Sequence, residues 1–183
     1  SVVKRDNASI VSLDIQKCYY TIRIDWDYVT DLIAESYRED KNVMDTLIGL
    51  TDCIKNLYEV YWQKVNEIYA LQTDAMYNGK PALPIGLSSS KVLCNFHLSK
   101  LDNKILETIR PEHYGRYVDD MLIVIRTPDP LLKKLGPVDA QVILKQFFID
   151  TDILAVEDSS YSICHDQEIK LQREKICVFL VKK

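Results

Sequence analysis

Three aspartates carry the chemistry open to this sequence. Asp119 and Asp120 are adjacent in Tyr117-Val118-Asp119-Asp120, between the run Tyr114-Gly115-Arg116-Tyr117 and the apolar run Met121-Leu122-Ile123-Val124-Ile125. Both flanks have strand character, which places the acid pair at the tip of a hairpin. Asp14 closes residues 8–15, where Val11, Leu13 and Ile15 point one way and Ile10, Ser12 and Asp14 the other. If that strand lies beside the hairpin, the three carboxylates converge. Like charges so close raise one another's pKa values unless a counter-charge is present. Two magnesium ions, with manganese as an alternative, would supply it, since hard cations take oxygen ligands. The chemistry that follows is phosphoryl transfer: a 3′-hydroxyl activated against a nucleoside triphosphate, and charge neutralised on the departing pyrophosphate.

The elements that must position these acids are legible in outline. A mostly helical region is expected from about Trp26 to Gln72, with Ile54, Leu57, Tyr58, Tyr61, Val65, Ile68 and Tyr69 at helical spacing. The aromatics Tyr58, Tyr61, Trp62 and Tyr69 are read as core rather than as a base-stacking platform. Asn78-Gly79-Lys80-Pro81 is a turn signal. Leu83 to Ser90 forms a loop into a helix carrying Leu93, Phe96, Leu101 and Ile105, with a serine of Ser88-Ser89-Ser90 as its cap. After the acid hairpin come a Pro/Gly-bearing loop, a helix around Asp139–Phe148 and short strands at 161–164, 168–173 and 176–181, the last two expected to pair as a hairpin. This order predicts an α+β fold, an antiparallel sheet with helices packed on one face and the acids on the open face.

Composition limits the function classes. The chain has 183 residues, 47% hydrophobic and 27% charged, as in a soluble globular domain. No apolar run approaches the roughly 20 residues that span a bilayer, and the N-terminus lacks a signal-peptide core. The five cysteines form no Cys-x-x-Cys pair, which predicts reduced thiols and a cytoplasmic location. The net charge of −4 speaks against a nucleic-acid binder, but it counts the site carboxylates.

With these residues in view, the sequence resembles the reverse transcriptases. Ser12-Leu13-Asp14-Ile15-Gln16-Lys17-Cys18-Tyr19-Tyr20-Thr21-Ile22 is similar to their motif A. Leu83-Pro84-Ile85-Gly86 through Ser90, with Leu93-Cys94-Asn95-Phe96-His97-Leu98, is similar to motif B, and Arg116-Tyr117-Val118-Asp119-Asp120 to motif C. A lone Asp-Asp pair is an ordinary turn signature; three motifs in family order are specific. Leu171 to Phe179 resembles the hairpin that supports the primer in some bacterial members. The resemblance implies a bacterial-type polymerase palm spanning residues 1–183 as one domain, with fingers expected before residue 1 and a thumb after residue 183. By itself such a palm is expected to polymerise poorly or not at all.

The resemblance also implies roles. Asp14 and Asp119 would be the principal metal ligands, with Ile15 in the metal-ligating set and Asp120 as a further ligand or electrostatic support. Tyr19, five residues after Asp14, falls on the steric-gate position, where a ring would clash with a ribose 2′-hydroxyl and favour deoxynucleotides. Pro84, Ile85 and Gly86 would form the loop under the incoming nucleotide, and Tyr117 would sit near the primer terminus. Arg116, Arg173 and Lys175 are expected along the primer and template, and Lys17 beside phosphate. Implied partners are an RNA template, a DNA primer and deoxynucleoside triphosphates. Many members have glutamine where this chain has Ile85. A Pro-Ile-Gly loop is similar to that of diversity-generating and abortive-infection (phage-defence) enzymes, and Lys91 after the serines is closer to the defence type. Two rival readings are an RNA-synthesising palm, which Tyr19 opposes, and a non-catalytic palm acting as a nucleic-acid or protein scaffold, which the intact acids oppose.

Overall fold

The alternation that marks residues 8–15 in sequence becomes strand β1, Asn7–Asp14, in the computed structural model, which describes residues 7–69, 81–127, 140–158 and 160–181. Val11 and Leu13 lose all but about 1% of their exposure while Ile10 and Ser12 are only half-buried, so the strand has one core face and one open face. Strands β2 (His113–Tyr117) and β3 (Asp120–Thr127) form the predicted hairpin. β1 pairs antiparallel with β3 along its whole length, from Asn7 opposite Thr127 to Asp14 opposite Asp120. The sheet order is β2-β3-β1-β7, with β7 at Cys177–Val181. Met121, Ile123 and Ile125 of β3 join Val11 and Leu13 on the buried face. Burying one such side chain contributes about 1.5–3 kcal/mol, so a one-residue slip of β1 would cost several of these terms at once. At the far end of the pair Ser9 Oγ and Thr127 Oγ1 are 2.5 Å apart, which satisfies two buried hydroxyls.

The chain divides into two compact units, residues 1–18 with 98–183, and residues 19–97. The first holds the four-stranded sheet and a second antiparallel sheet, β4 (Leu154–Glu157), β5 (Ser160–Ile163) and β6 (Asp166–Lys170). The last two segments therefore do not form the expected hairpin. β6 pairs with β5, and β7 crosses to β1, because the 3₁₀ turn Arg173–Lys175 between them redirects the chain. β4 was not anticipated. The helix expected at 139–148 is α-helical over Ala140–Leu144 and continues as a π-helical turn, Lys145–Ile149.

The second unit is helical: α1 (Cys18–Thr21, continuing from the first unit), α2 (Trp26–Ser36), α3 (Lys41–Tyr69) and the first part of α4 (Ser88–Thr108). Asp25 caps α2 by accepting from the Tyr28 N–H at 3.1 Å, and Asp40 accepts from the Val43 N–H at the start of α3, also at 3.1 Å. The inward stripe of α3 carries Thr51, Tyr58 and Trp62, whereas Leu57 and Ile68, expected inside, are 50% and 58% exposed. Tyr58 is fixed at both ends, its ring edge-on to Trp26 and its hydroxyl 2.9 Å from both Ser89 Oγ and Ser90 Oγ. The serine run thus ties α4 to α3. On α4 the buried row is Ser90, Cys94, Leu98, Leu101 and Ile105, displacing Leu93 and Phe96 from the expected stripe. The turn at 78–80, the loop at 128–137 and Asp139 lie outside the described residues. The result is an α+β fold with the expected antiparallel sheet.

Candidate active site

The acid hairpin is tight. Tyr117 and Asp120 face each other as a pair, leaving Val118 and Asp119 as a two-residue turn. Right-handed strand twist favours such turns when the first central residue has positive φ. Val118 meets this at φ +58°, a conformation in which a β-branched residue is strained. Two contacts hold the turn in place. The Ile15 N–H donates to the Asp119 carbonyl at 3.0 Å, and the Arg116 guanidinium donates to the Val118 carbonyl at 2.9 Å. Replacing Val118 by glycine removes a left-handed penalty of about 1–2 kcal/mol and adds a glycine entropy cost of about 0.5–1 kcal/mol. Val118→Gly is therefore expected to raise the urea midpoint slightly while loosening the acids and lowering activity. A lower midpoint would show that the turn is not strained.

Arg116 is held by Asp102 of α4. Its Nε and Nη2 donate to the two oxygens of the Asp102 carboxylate at 2.8 and 2.7 Å, and Tyr114 Oη donates to the same carboxylate at 2.5 Å. Burial, and then this hydrogen bond, push the Tyr114 hydroxyl pKa well above its ordinary value. The Arg116 side chain is only 6% exposed, so its fork is spent inside the domain rather than presented to a primer or template phosphate as expected. Asp102 was missed in sequence. A usable signal was parity: Arg116 lies opposite Met121 on the core face, where a guanidinium requires an acid.

The β1–β3 register brings Asp14 and Asp120 directly opposite each other, with Asp119 next in the turn. Asp14 is 4% exposed, Asp119 half-buried and Asp120 exposed. Hydrogen bonding to Asp14 is the main cause that raises the Asp120 pKa; burial and the Asp119 charge add to it, and Lys175 opposes it. Lys175 Nζ lies 2.8 Å from Asp14 Oδ2, so a cation already rests against the buried carboxylate. Among the described residues no group of three His, Cys, Asp or Glu side chains is arranged to hold a metal ion as they stand. The donor chemistry nevertheless fits a hard divalent cation, which takes carboxylate and carbonyl oxygens. Ile15 has only its backbone carbonyl to offer such an ion.

Tyr117 is 71% exposed and borders a depression of about 390 Å³ on the open face, lined also by His113, Gly115, Leu122 and Asp120. Arg173 and Lys175 sit in the 3₁₀ turn before β7.

A profile of the reverse transcriptase (RNA-dependent DNA polymerase) family matches residues 3–151. That span takes in all three acids. The chain belongs to the reverse transcriptase family. No curated protein matches it. Membership makes this a reverse transcriptase-type polymerase domain, whose family acts on nucleotides and a nucleic-acid template and generally uses divalent metals. No helix among the described residues is long and apolar enough to cross a membrane.

The remaining residues that this reverse transcriptase was expected to use on nucleotides lie in the helical unit. Tyr19 is half-buried in α1, and its carbonyl accepts from the Leu83 N–H at 2.9 Å. That bond joins the tyrosine segment to the loop that follows. There Pro84 is buried, Ile85 is 56% exposed and Gly86 turns the chain at φ +93°, a conformation that favours glycine.

Proposed function

We propose that this chain is the catalytic palm of an RNA-directed DNA polymerase, cytoplasmic and of the bacterial defence or retroelement type, that adds deoxynucleotides to a DNA primer on an RNA template. The observation that supports it best is the β1–β3 register, which opposes Asp14 and Asp120 beside Asp119 at a tied-down turn. Asp14 and Asp119, with the Ile15 carbonyl, would hold two magnesium ions, and Asp120 would complete the set or tune its charge. When bound, the ions supply positive charge that favours loss of the 3′-hydroxyl proton and departure of pyrophosphate. The chain's own part is to hold oxygens at fixed positions and to orient the substrates. Tyr117, exposed beside Asp120, would meet the primer terminus, and Arg173 and Lys175 would follow its backbone. Tyr19 would exclude a 2′-hydroxyl, over the floor formed by Pro84, Ile85 and Gly86.

Primer extension by the intact protein on an RNA template, with deoxynucleotides or ribonucleotides as sole substrate, tests this. Deoxynucleotide-selective extension is expected; preference for ribonucleotides would point to an RNA-synthesising palm. Tyr19→Ala is expected to lower sugar discrimination roughly 10- to 100-fold, the range of a lost steric contact. Unaltered rejection of ribonucleotides would remove Tyr19 from the gate. The Lys175–Asp14 pair favours a second reading, a palm whose acids are neutralised internally and which serves as a scaffold. Absence of extension on any template, with retained nucleic-acid binding, would select it.

A further inference from the structure

We infer that Lys175 is the built-in counter-ion of the acid cluster and sets its affinity for divalent cations, by occupying Asp14 until a metal displaces it. This takes the acids to be a metal site, as proposed above.

The backbone delivers Lys175 to Asp14. The Gln172 N–H donates to the Asp14 carbonyl at 2.8 Å, the Gln16 N–H donates to the Lys170 carbonyl at 2.8 Å, and Ile15 bridges to Leu171 between them. These contacts dock the end of β6 on the end of β1. The 3₁₀ turn, closed by the Lys175 N–H on the Gln172 carbonyl at 2.9 Å, then aims the lysine at the cluster. The fold therefore holds the Lys175 backbone within reach of Asp14, and the side chain completes the pair.

The two partners differ in what they lose on separation. Asp14 has a side-chain exposure of 5%, and a carboxylate so buried needs a compensating charge at all times. The Lys175 side chain is 55% exposed, on a flexible stem that can swing its ammonium into water. A divalent ion bound at these acids would bring more positive charge than the ammonium to the Asp14 carboxylate. Lysine and metal would then compete for the same negative charge, so binding of one weakens the hold of the other. Without metal, the lysine limits repulsion among acids that the β1–β3 register forces together.

Mn2+ binding to the intact protein, followed by electron paramagnetic resonance or calorimetry, tests this with Lys175→Met, Lys170→Met and Asp119→Asn. Lys170→Met removes a nearby charge that does not contact the acids through its side chain, and so measures the general field. Lys175→Met is expected to tighten Mn2+ binding roughly 3- to 10-fold beyond Lys170→Met, the scale of a partly exposed ion pair. In the unmutated protein, acylation of Lys175 by an N-hydroxysuccinimide ester, read by mass spectrometry, is expected to accelerate on Mn2+ addition relative to Lys170. Binding lost in Asp119→Asn but no tighter in Lys175→Met than in Lys170→Met overturns the counter-ion role alone. Acylation of Lys175 that is indifferent to bound Mn2+ overturns it too, even if the methionine variant does not fold. Binding indifferent to both Asp119→Asn and Lys175→Met overturns the metal site as well.

Discussion

Asp119→Asn in the intact protein is expected to lower primer extension at least about 10³-fold, because losing several kcal/mol of metal-borne charge stabilisation costs a factor of ten per 1.36 kcal/mol. Asparagine preserves the shape of the side chain and leaves the backbone carbonyl that accepts from Ile15 untouched. The fold is therefore expected to survive. The charge argument goes further. Asp119 is one of the groups that raise the Asp120 pKa. A carboxyl with a raised folded pKa favours the native state below its unfolded pKa and loses that contribution as pH rises through the folded one. Without metal, the cluster thus opposes folding at neutral pH, and Asp119→Asn relieves part of that repulsion. Thermal melting in EDTA at neutral pH is expected to be unchanged or slightly higher in the variant. Normal extension by Asp119→Asn would remove these acids from the chemistry. A collapsed melting temperature would instead assign Asp119 to the fold.

Arg116→Met is expected to cost about 3 kcal/mol in urea unfolding, the low end for breaking a buried ion pair because the partner Asp102 retains 22% exposure. Methionine fills much of the same space but leaves the Asp102 carboxylate with only the Tyr114 hydroxyl among the bonds described above. It also releases the Val118 carbonyl, one of the two anchors of the strained turn. Extension is then expected to fall along with stability. Arg116→Lys retains the charge but not the two-pronged geometry, so an intermediate loss is expected. If Arg116→Met unfolds at the normal urea midpoint and extends primers normally, the fork is neither holding the hairpin nor supporting the acids.

Local pattern was enough to read the strand ending at Asp14, the hairpin carrying Asp119 and Asp120, the long helical region and the α+β class. Period-two alternation and turn residues act between neighbours in sequence, so composition along a few residues specifies them. The three motifs in order were enough to indicate the family. Helix faces were less legible. Several apolar residues on α3 compete for one narrow stripe, and Tyr58 prevailed over Leu57 because its hydroxyl also finds Ser89 and Ser90. The end of the chain is ambiguous for a similar reason: the strands at 166–170 and 177–181 could pair with each other or with different sheets, and pairing energy alone does not choose.

The sequence by itself determined which residues could do chemistry and the strands that carry them, because side-chain type and alternation are properties of the chain. Only the tertiary structure decided that β1 lies against β3 with Asp14 opposite Asp120, that Asp102 grips Arg116, and that Lys175 reaches Asp14 across 161 residues. Those pairings depend on burial: a carboxylate or guanidinium taken out of water must find its opposite, wherever in the sequence the fold supplies it.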